Sequence, residues 1–289
     1  MSNTIELAKS FVPKLDECYR LASLTSVLDG APELAKQGAN ANELIISVMS
    51  MDGLADYSRN GGYVQGGVTM TNETVKCNFD RGRRFDVDVM DDLETAGLAF
   101  GRLSAQFIRD KVVPELDAFR FASYCGISGV TKKEETLADG AATVAALSAA
   151  VTAMDDEEVT ATGRYLFITP TLLQGINDMD TTKSKKVLEG FERVIKVPQR
   201  RFYTAIKQLS GKTGEEAGGY TKAAGAANIN FAIVQKDALI QYTKHAAPKI
   251  IAPENNPDAD AYVFGYRMVG IAKAYKNMLS GMYFSHDKA

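Results

Sequence analysis

The sequence predicts a mixed α+β fold in which strands and helices occupy separate stretches of chain and one hairpin outgrows its own core. Three observations carry this prediction. Apolar and polar residues alternate with period two between residues 44 and 89, a capped helical pattern begins at Asp91, and two runs of strand length stand at 165–168, wholly apolar, and at 229–234, apolar but for Asn230.

Residues 1–43 are mixed in character. Over 14–28, Leu15, Cys18, Tyr19 and Ala22 make one helical face with Gly30 and Pro32 as its stop, but the face fades by Thr25 and Ser26. This stretch reads as an arm that needs a partner to hold it. From Glu43 the period changes. Leu44, Ile46 and Val48 alternate with Ile45, Ser47 and Met49, Val68 and Met70 with Thr69 and Thr71, and Phe85, Val87 and Val89 with Arg84, Asp86 and Asp88. Gly61-Gly62 and Gly66-Gly67 lie between the first two runs, where a hairpin tip needs positive φ. An extended run over 44–59 would span about 50 Å at ~3.3 Å per residue. A compact chain of this length has a radius of gyration of only about 19 Å. The hairpin must bend sharply or project, and a projecting arm with apolar side chains implies a neighbour that covers them.

At Asp91-Asp92-Leu93-Glu94 the strand pattern ends. Asp91 is expected to cap a helix, with Glu94 completing a capping-box-like start, and Leu93, Ala96, Phe100, Leu103 and Phe107 recur at helical spacing. Pro114 interrupts that helix or begins a second one reaching about Cys125, with Leu116 and Phe119 inward. A further amphipathic helix is predicted over 137–154 through Val144, Leu147 and Val151, weakened by Gly140 in its first turn and stopped by the acids at 155–158. The run at 165–168 reads as a strand buried on both faces, and Thr169-Pro170 as the start of the next helix. Gly211, Gly214, Gly218, Gly219 and Gly225 make 205–227 a mobile surface loop. The run at 229–234 is a second buried strand, Pro248, Pro253 and Pro257 punctuate a linker, and an aromatic-rich strand over 262–274 closes the pattern.

With 45% hydrophobic and 24% charged residues the 289-residue chain can bury a core. Its net charge of -3 argues against a dedicated nucleic-acid reader, which needs a broad basic face. No basic-then-apolar leader follows Met1, and no run approaches the ~20 apolar residues of a membrane span. Cys18, Cys77 and Cys125 neither pair nor show metal spacing, which suits a reducing cytoplasm. Two histidines, His245 and His286, cannot build a site of several imidazoles, and His245 reads as a strand end with no elbow nucleophile to serve. Gly211-Lys212-Thr213 lacks the glycine of a phosphate loop five residues earlier, where Ile206 stands. Asp86 and Asp88, followed by Asp91 and Asp92, read as a solvated strand face plus a helix cap, with weak cation binding as the rival reading. No catalytic residue, metal or cofactor is expected. Arg81, Arg83 and Arg84 beside Asp80 read blandly as a solvated turn and functionally as intersubunit ion-pair partners, ahead of contacts to phosphates.

Several segments, taken in order, resemble the major capsid proteins of tailed bacteriophages, which share the Johnson (Hong Kong 97-type) fold. Gly53-Leu54-Ala55-Asp56-Tyr57-Ser58-Arg59-Asn60-Gly61-Gly62-Tyr63-Val64-Gln65-Gly66 is similar to that family's extended E-loop. Asp80-Arg81-Gly82-Arg83-Arg84-Phe85-Asp86-Val87-Asp88, followed by Met90-Asp91-Asp92-Leu93-Glu94-Thr95, resembles its return strand entering the spine helix. Phe100-Gly101-Arg102-Leu103 and the stretch 112–120 continue the match, and 228–235, 244–249 and 264–267 resemble the closing strands. The likeness spans most of 44–275.

The resemblance implies a phage major capsid fold: an N-terminal arm (1–43), a P-domain strand and E-loop (44–90), a P-domain spine helix region (91–134), an A-domain (135–242) and P-domain closing strands (243–289). It implies a self-assembling, non-enzymatic subunit that forms pentamers and hexamers of an icosahedral head around double-stranded DNA, assembled in the host cytoplasm and residing in the virion. Partners would be further copies of the chain, scaffolding and portal proteins and, non-specifically, packaged DNA, with no membrane. The intersubunit candidates are Asp56, Tyr57, Arg59, Gly61, Gly62 and Tyr63 at the hairpin tip and Arg81, Arg83 and Arg84 on the return strand. An encapsulin-type compartment shares the fold and is the alternative. A nucleotide-binding enzyme would need a site the sequence does not offer.

Overall fold

The computed structural model describes residues 23–30, 36–37, 43–90, 98–179 and 182–288. The expected helix over 14–22, Cys18, and the acids at 91, 92 and 94 lie outside them.

β1 (Lys36–Gln37), β2 (Glu43–Met51) and β3 (Val68–Lys76) form a three-stranded sheet with β2 in the middle. The β2–β3 ladder runs unbroken from Glu43 opposite Lys76 to Met51 opposite Val68. Strand pairing stops at Met51, so the extended part spans about 30 Å, and residues 52–67 form a loop instead of more strand. Asn78 then bridges to the body: its side chain donates to Ala272 O at 2.9 Å and accepts from Ala272 N at 3.0 Å, imitating a ladder residue.

β4 (Phe79–Asp88) follows. Val89 and Met90 are already helical, and Asp88 Oδ1 accepts from the Met90 N–H at 2.8 Å. Asp88 therefore caps this turn, standing just before its first helical residue. α1 (Leu98–Phe107) runs through a π-turn at Ile108–Val112 into α2 (Val113–Gly126). Pro114 neither stops the helix nor starts a separate one. Its ring would clash with the carbonyl four residues earlier, and a wider i→i+5 turn at that place relieves the clash.

β5 (Thr131–Glu134) precedes α3 (Gly140–Asp156), capped by Asp139, whose Oδ1 accepts from Ala142 N at 2.8 Å. Then come β6 (Arg164–Ile168), α4 (Pro170–Asp178), α5 (Thr182–Glu189) and β7 (Arg193–Lys196). Gly140 is not a weak point of α3 but the place where α4 crosses it: a Cβ there would lie 2.2 Å from Gly175 O. The stretch expected to be a mobile loop is a two-stranded hairpin, β8 (Ile206–Gln208) with β9 (Tyr220–Lys222).

β10 (Ile229–Gln235), β11 (Leu239–Ile251), β12 (Ala261–Ala274) and β13 (Met282–His286) complete the chain. Pro248 lies inside β11 and not in a linker, and His245 sits at a bulge within that strand and not at its end. Both are tolerated because β11 is an edge of the sheet β11-β12-β4, where an absent N–H breaks no second ladder. The expected closing strands go two ways. β11 and β12 stay with β4, while β13 crosses to a five-stranded sheet of order β5-β13-β10-β6-β7. Short and bounded by no turn motif, β13 had no signal of its own in the sequence.

That five-stranded sheet is the centre of the molecule. Tyr165, Phe167, Ala232 and Val234 pack toward Phe121 and Tyr124 of α2 on one face. Leu166, Ile168, Phe231 and Ile233 pack toward Leu147 of α3 and Ile176 of α4 on the other. Helices on both faces explain why β6 and β10 are apolar at consecutive positions. A smaller core joins Phe79, Phe264, Tyr266 and Met268 of the long sheet to Ile108, Val113 and Leu116. Among the described residues, no helix is long and apolar enough to cross a membrane.

Candidate intersubunit surface

The β2–β3 hairpin is anchored at its base by Val75, buried against Ile240, Tyr242 and Ile271, and its outer half stands apart from these cores. On one face of its outer half the cross-strand pairs are Met49–Met70 and Met51–Val68, and all four side chains are exposed. Asp52 closes the ladder: its N–H donates to Gly67 O at 3.1 Å and its Oδ2 accepts from Gly67 N at 2.7 Å. Beyond it, Leu54, Tyr57, Tyr63 and Val64 are exposed too, Leu54 completely and Tyr63 at 90%. Of the ten large apolar side chains exposed among the described residues, eight fall between 49 and 70. Monomers do not cluster apolar surface this way unless something covers it.

The tip is a small ordered turn. Ser58 and Gly62 exchange backbone hydrogen bonds (Gly62 N to Ser58 O at 2.7 Å), Ser58 Oγ accepts from Gly61 N at 3.1 Å, and the Tyr57 and Tyr63 rings meet at 4.9 Å. Of the four glycines expected to need positive φ, only Gly62 has it, at 73°. Asp56, Tyr57, Arg59, Gly61, Gly62 and Tyr63 are thus brought together on one projection, and all but Gly62 are exposed.

The arginines form a second group with partners inside the same chain. Arg81 Nε donates to Glu115 Oε1 at 2.8 Å, and its Nη2 donates to the carbonyls of Leu209 at 2.7 Å and Gly219 at 3.3 Å. Arg83 donates to Glu216 O at 2.8 Å and lies so close to the β8–β9 turn that a Cβ on Gly218 would come within 2.8 Å of it. These two side chains tether the β8–β9 hairpin to β4, Arg81 half-buried and Arg83 exposed. Arg84 is exposed and pairs along its own strand with Asp86 at 2.8 Å, which holds its guanidinium pKa above the usual value. Within the tethered hairpin, Lys207 and the Ser210 N–H both contact the Glu215 carboxylate and hold its pKa down to about 2.

No family model and no curated protein matches the sequence. Solved structures do. A virus-like particle from Pyrococcus furiosus aligns over 94% of this chain and 95% of its own, with a TM-score of 0.58 at 10% identity. Gordonia phage Cozz aligns over 93% and 87% with a TM-score of 0.58 at 11% identity. The capsid of the cyanophage P-SCSP1u aligns over 88% and 86% with a TM-score of 0.57 at 10% identity. The chain has the phage major capsid fold.

Within this capsid fold, sequence reasoning found the hairpin tip but underrated its stem. The stripe Met49, Met51, Val68 and Met70 was readable as every second position of two alternating strands, once their register is known. What hid it is that the alternation alone does not say which face is covered. Asp52 and Ser58, which shape the loop, carried no separate signal.

Proposed function

We propose that the chain is a structural, non-enzymatic shell subunit of a tailed-phage head, assembling into pentamers and hexamers of an icosahedral capsid around double-stranded DNA. The observation that carries this reading is the exposed apolar surface of residues 49–70 on a hairpin of a capsid fold. Residues 49–70 have more apolar surface than their own subunit covers, and a second copy is the partner always present at matching concentration. The division into an arm, an E-loop (the β2–β3 hairpin), a P-domain around β4, β11 and β12 and an A-domain around the five-stranded sheet belongs to the same reading. So do the virion location, assembly in the host cytoplasm, the scaffolding and portal partners and the non-specific contact with DNA.

Sedimentation and electron microscopy of the expressed protein test it. Capsomers, tubes or closed shells are expected, and a monomer that stays monomeric at high concentration across salt conditions would overturn the reading. A cargo-holding bacterial compartment built on the same fold is the second reading. Purified shells that contain an enzyme cargo in place of nucleic acid would decide for it.

A further inference from the structure

Residues 23–30 lie in the body of the subunit, contrary to the expectation that the whole N-terminal stretch needs another molecule to hold it. Ser23 and Thr25 are buried and Leu28 is in the core beside Phe121 and Tyr124. The manner of this burial is unusual. Asp117 of α2, itself fully buried, accepts hydrogen bonds from Ser23 Oγ at 2.9 Å, Leu24 N at 3.1 Å, Thr25 N at 3.3 Å, Thr25 Oγ1 at 2.7 Å and Arg201 Nη1 at 3.2 Å. Arg120, one turn further along α2, donates to Thr25 Oγ1 at 2.8 Å and to Asp29 Oδ1 at 3.2 Å. From β11, Gln241 Nε2 donates to Thr25 O and to Asp29 Oδ1, both at 2.7 Å, and its own Oε1 is fixed by Tyr124 OH at 2.6 Å.

Two features separate this from ordinary core packing. First, the segment joins no sheet. Its end makes a main-chain hydrogen bond to the body, Gly30 N to Gln241 O at 3.0 Å, and the bonds described above join its side chains and backbone to side chains of the body, as when a peptide is recognised by a preformed site. Second, the bonds share acceptors. Thr25 Oγ1 both donates to Asp117 and accepts from Arg120, and Asp29 Oδ1 serves both Arg120 and Gln241. Charge-assisted bonds that share atoms in this way strengthen one another, so the loss of one weakens the rest.

The position of the segment gives the set a consequence. Only six residue steps separate Gly30 from Lys36, where β1 pairs with Ile45 of the projecting hairpin. At most ~20 Å of chain therefore joins the two.

We propose that residues 23–30 are a latch, seated in a polar socket of Asp117, Arg120 and Gln241, that ties the base of the β1–β3 hairpin to the subunit body and opens as a unit while the body stays folded. This does not depend on shell formation, since the socket lies within one subunit. Hydrogen exchange on the full chain, read by mass spectrometry, tests it in wild type, Thr25→Val and Asp117→Asn. Valine keeps the shape of Thr25 without its hydroxyl. Asparagine turns one acceptor of residue 117 into a donor facing donors. Exchange over 23–30 should speed up by about ten- to a hundredfold in both variants. Exchange over 164–168 and 229–235 should be unchanged. Unaltered protection of 23–30 in Thr25→Val would overturn the latch, and so would an equal rise over 229–235, which would make the segment part of the cooperative core. If Asp117→Asn fails to fold, Thr25→Val and the wild-type ranking of the same peptides decide alone.

Discussion

β10 and the β2–β3 hairpin are built from similar residues and meet opposite fates. Every residue of β10 is buried, under α2 on one side and α3 with α4 on the other. The outer half of β2–β3 exposes Met49, Met51, Val68 and Met70, and its tip exposes Leu54, Tyr57, Tyr63 and Val64. Apolar content alone therefore does not mark a core. β10 stabilises its own subunit, whereas the hairpin's apolar surface is left exposed by the described residues of its own subunit. Substitutions that separate folding from association sharpen this contrast.

The largest expected effect is on the buried side. Phe231→Ala should cost about 3–5 kcal/mol of unfolding free energy, because the site cannot collapse between two helical layers. Met70→Ser on the hairpin should change monomer stability by no more than about 0.5 kcal/mol and weaken association instead. Denaturant melts and sedimentation of both variants check the pair, and a large loss of monomer stability from Met70→Ser would break the contrast.

Next is the helix crossing. Gly140→Ala should cost about 1–3 kcal/mol through overpacking against Gly175, measured by thermal unfolding. An unchanged or raised melting temperature would mean that the first turn of α3 was merely weakened by glycine. Smaller again is Arg81→Met, which takes the cationic donor from Glu115 and from Leu209 O, while Glu115 keeps Gln208 and Gly219 O keeps the Leu209 N–H. A loss of roughly 1 kcal/mol is expected, with faster exchange confined to β8–β9. Loss of assembly without that local loosening would give Arg81 an intersubunit role instead of a tethering one.

The smallest effects are in pH. Glu215 has a lowered pKa, so its contribution is present above the usual carboxylate range and is lost as pH falls from about 4.5 toward 2. Exchange should rise at β8–β9 and not at β10 across that window. Burial raises the Cys125 thiol pKa, so its contribution is complete below the ordinary thiol value of about 8.5 and declines as pH rises beyond it. The same burial should keep Cys125 unreactive toward alkylating reagents at neutral pH in the folded chain, and rapid labelling would show that the α2 core opens.

What could be read in the sequence follows from where the determining contacts lie. β2, β3, β6, β10, α2 and α3 were legible because period and caps are local, and Thr169-Pro170 announced α4 for the same reason. The parallel pairing of β13 with β5 was hidden, since nothing in either segment names the other. Gly140 was misread because its reason is the carbonyl of Gly175, 35 positions away in sequence and absent from any local window. The arginines were recognised as ion-pair formers, but not that Glu115 and the β8–β9 carbonyls lay within reach. Of the candidate surface, the tip motif was visible and the stem's exposed face was not, because burial on one side is decided by tertiary neighbours.

The central claim is that the hairpin lies outside its own subunit's stability and inside the assembly. Replacing residues 53–66 by Asn-Gly tests it most directly, because Asp52 and Gly67 already form a hydrogen-bonded pair that a two-residue turn can close. Calorimetry and sedimentation on one sample then read both sides of the claim. The shortened protein should unfold cooperatively near the wild-type temperature and form no closed shells. Normal shells from the shortened protein would contradict the account.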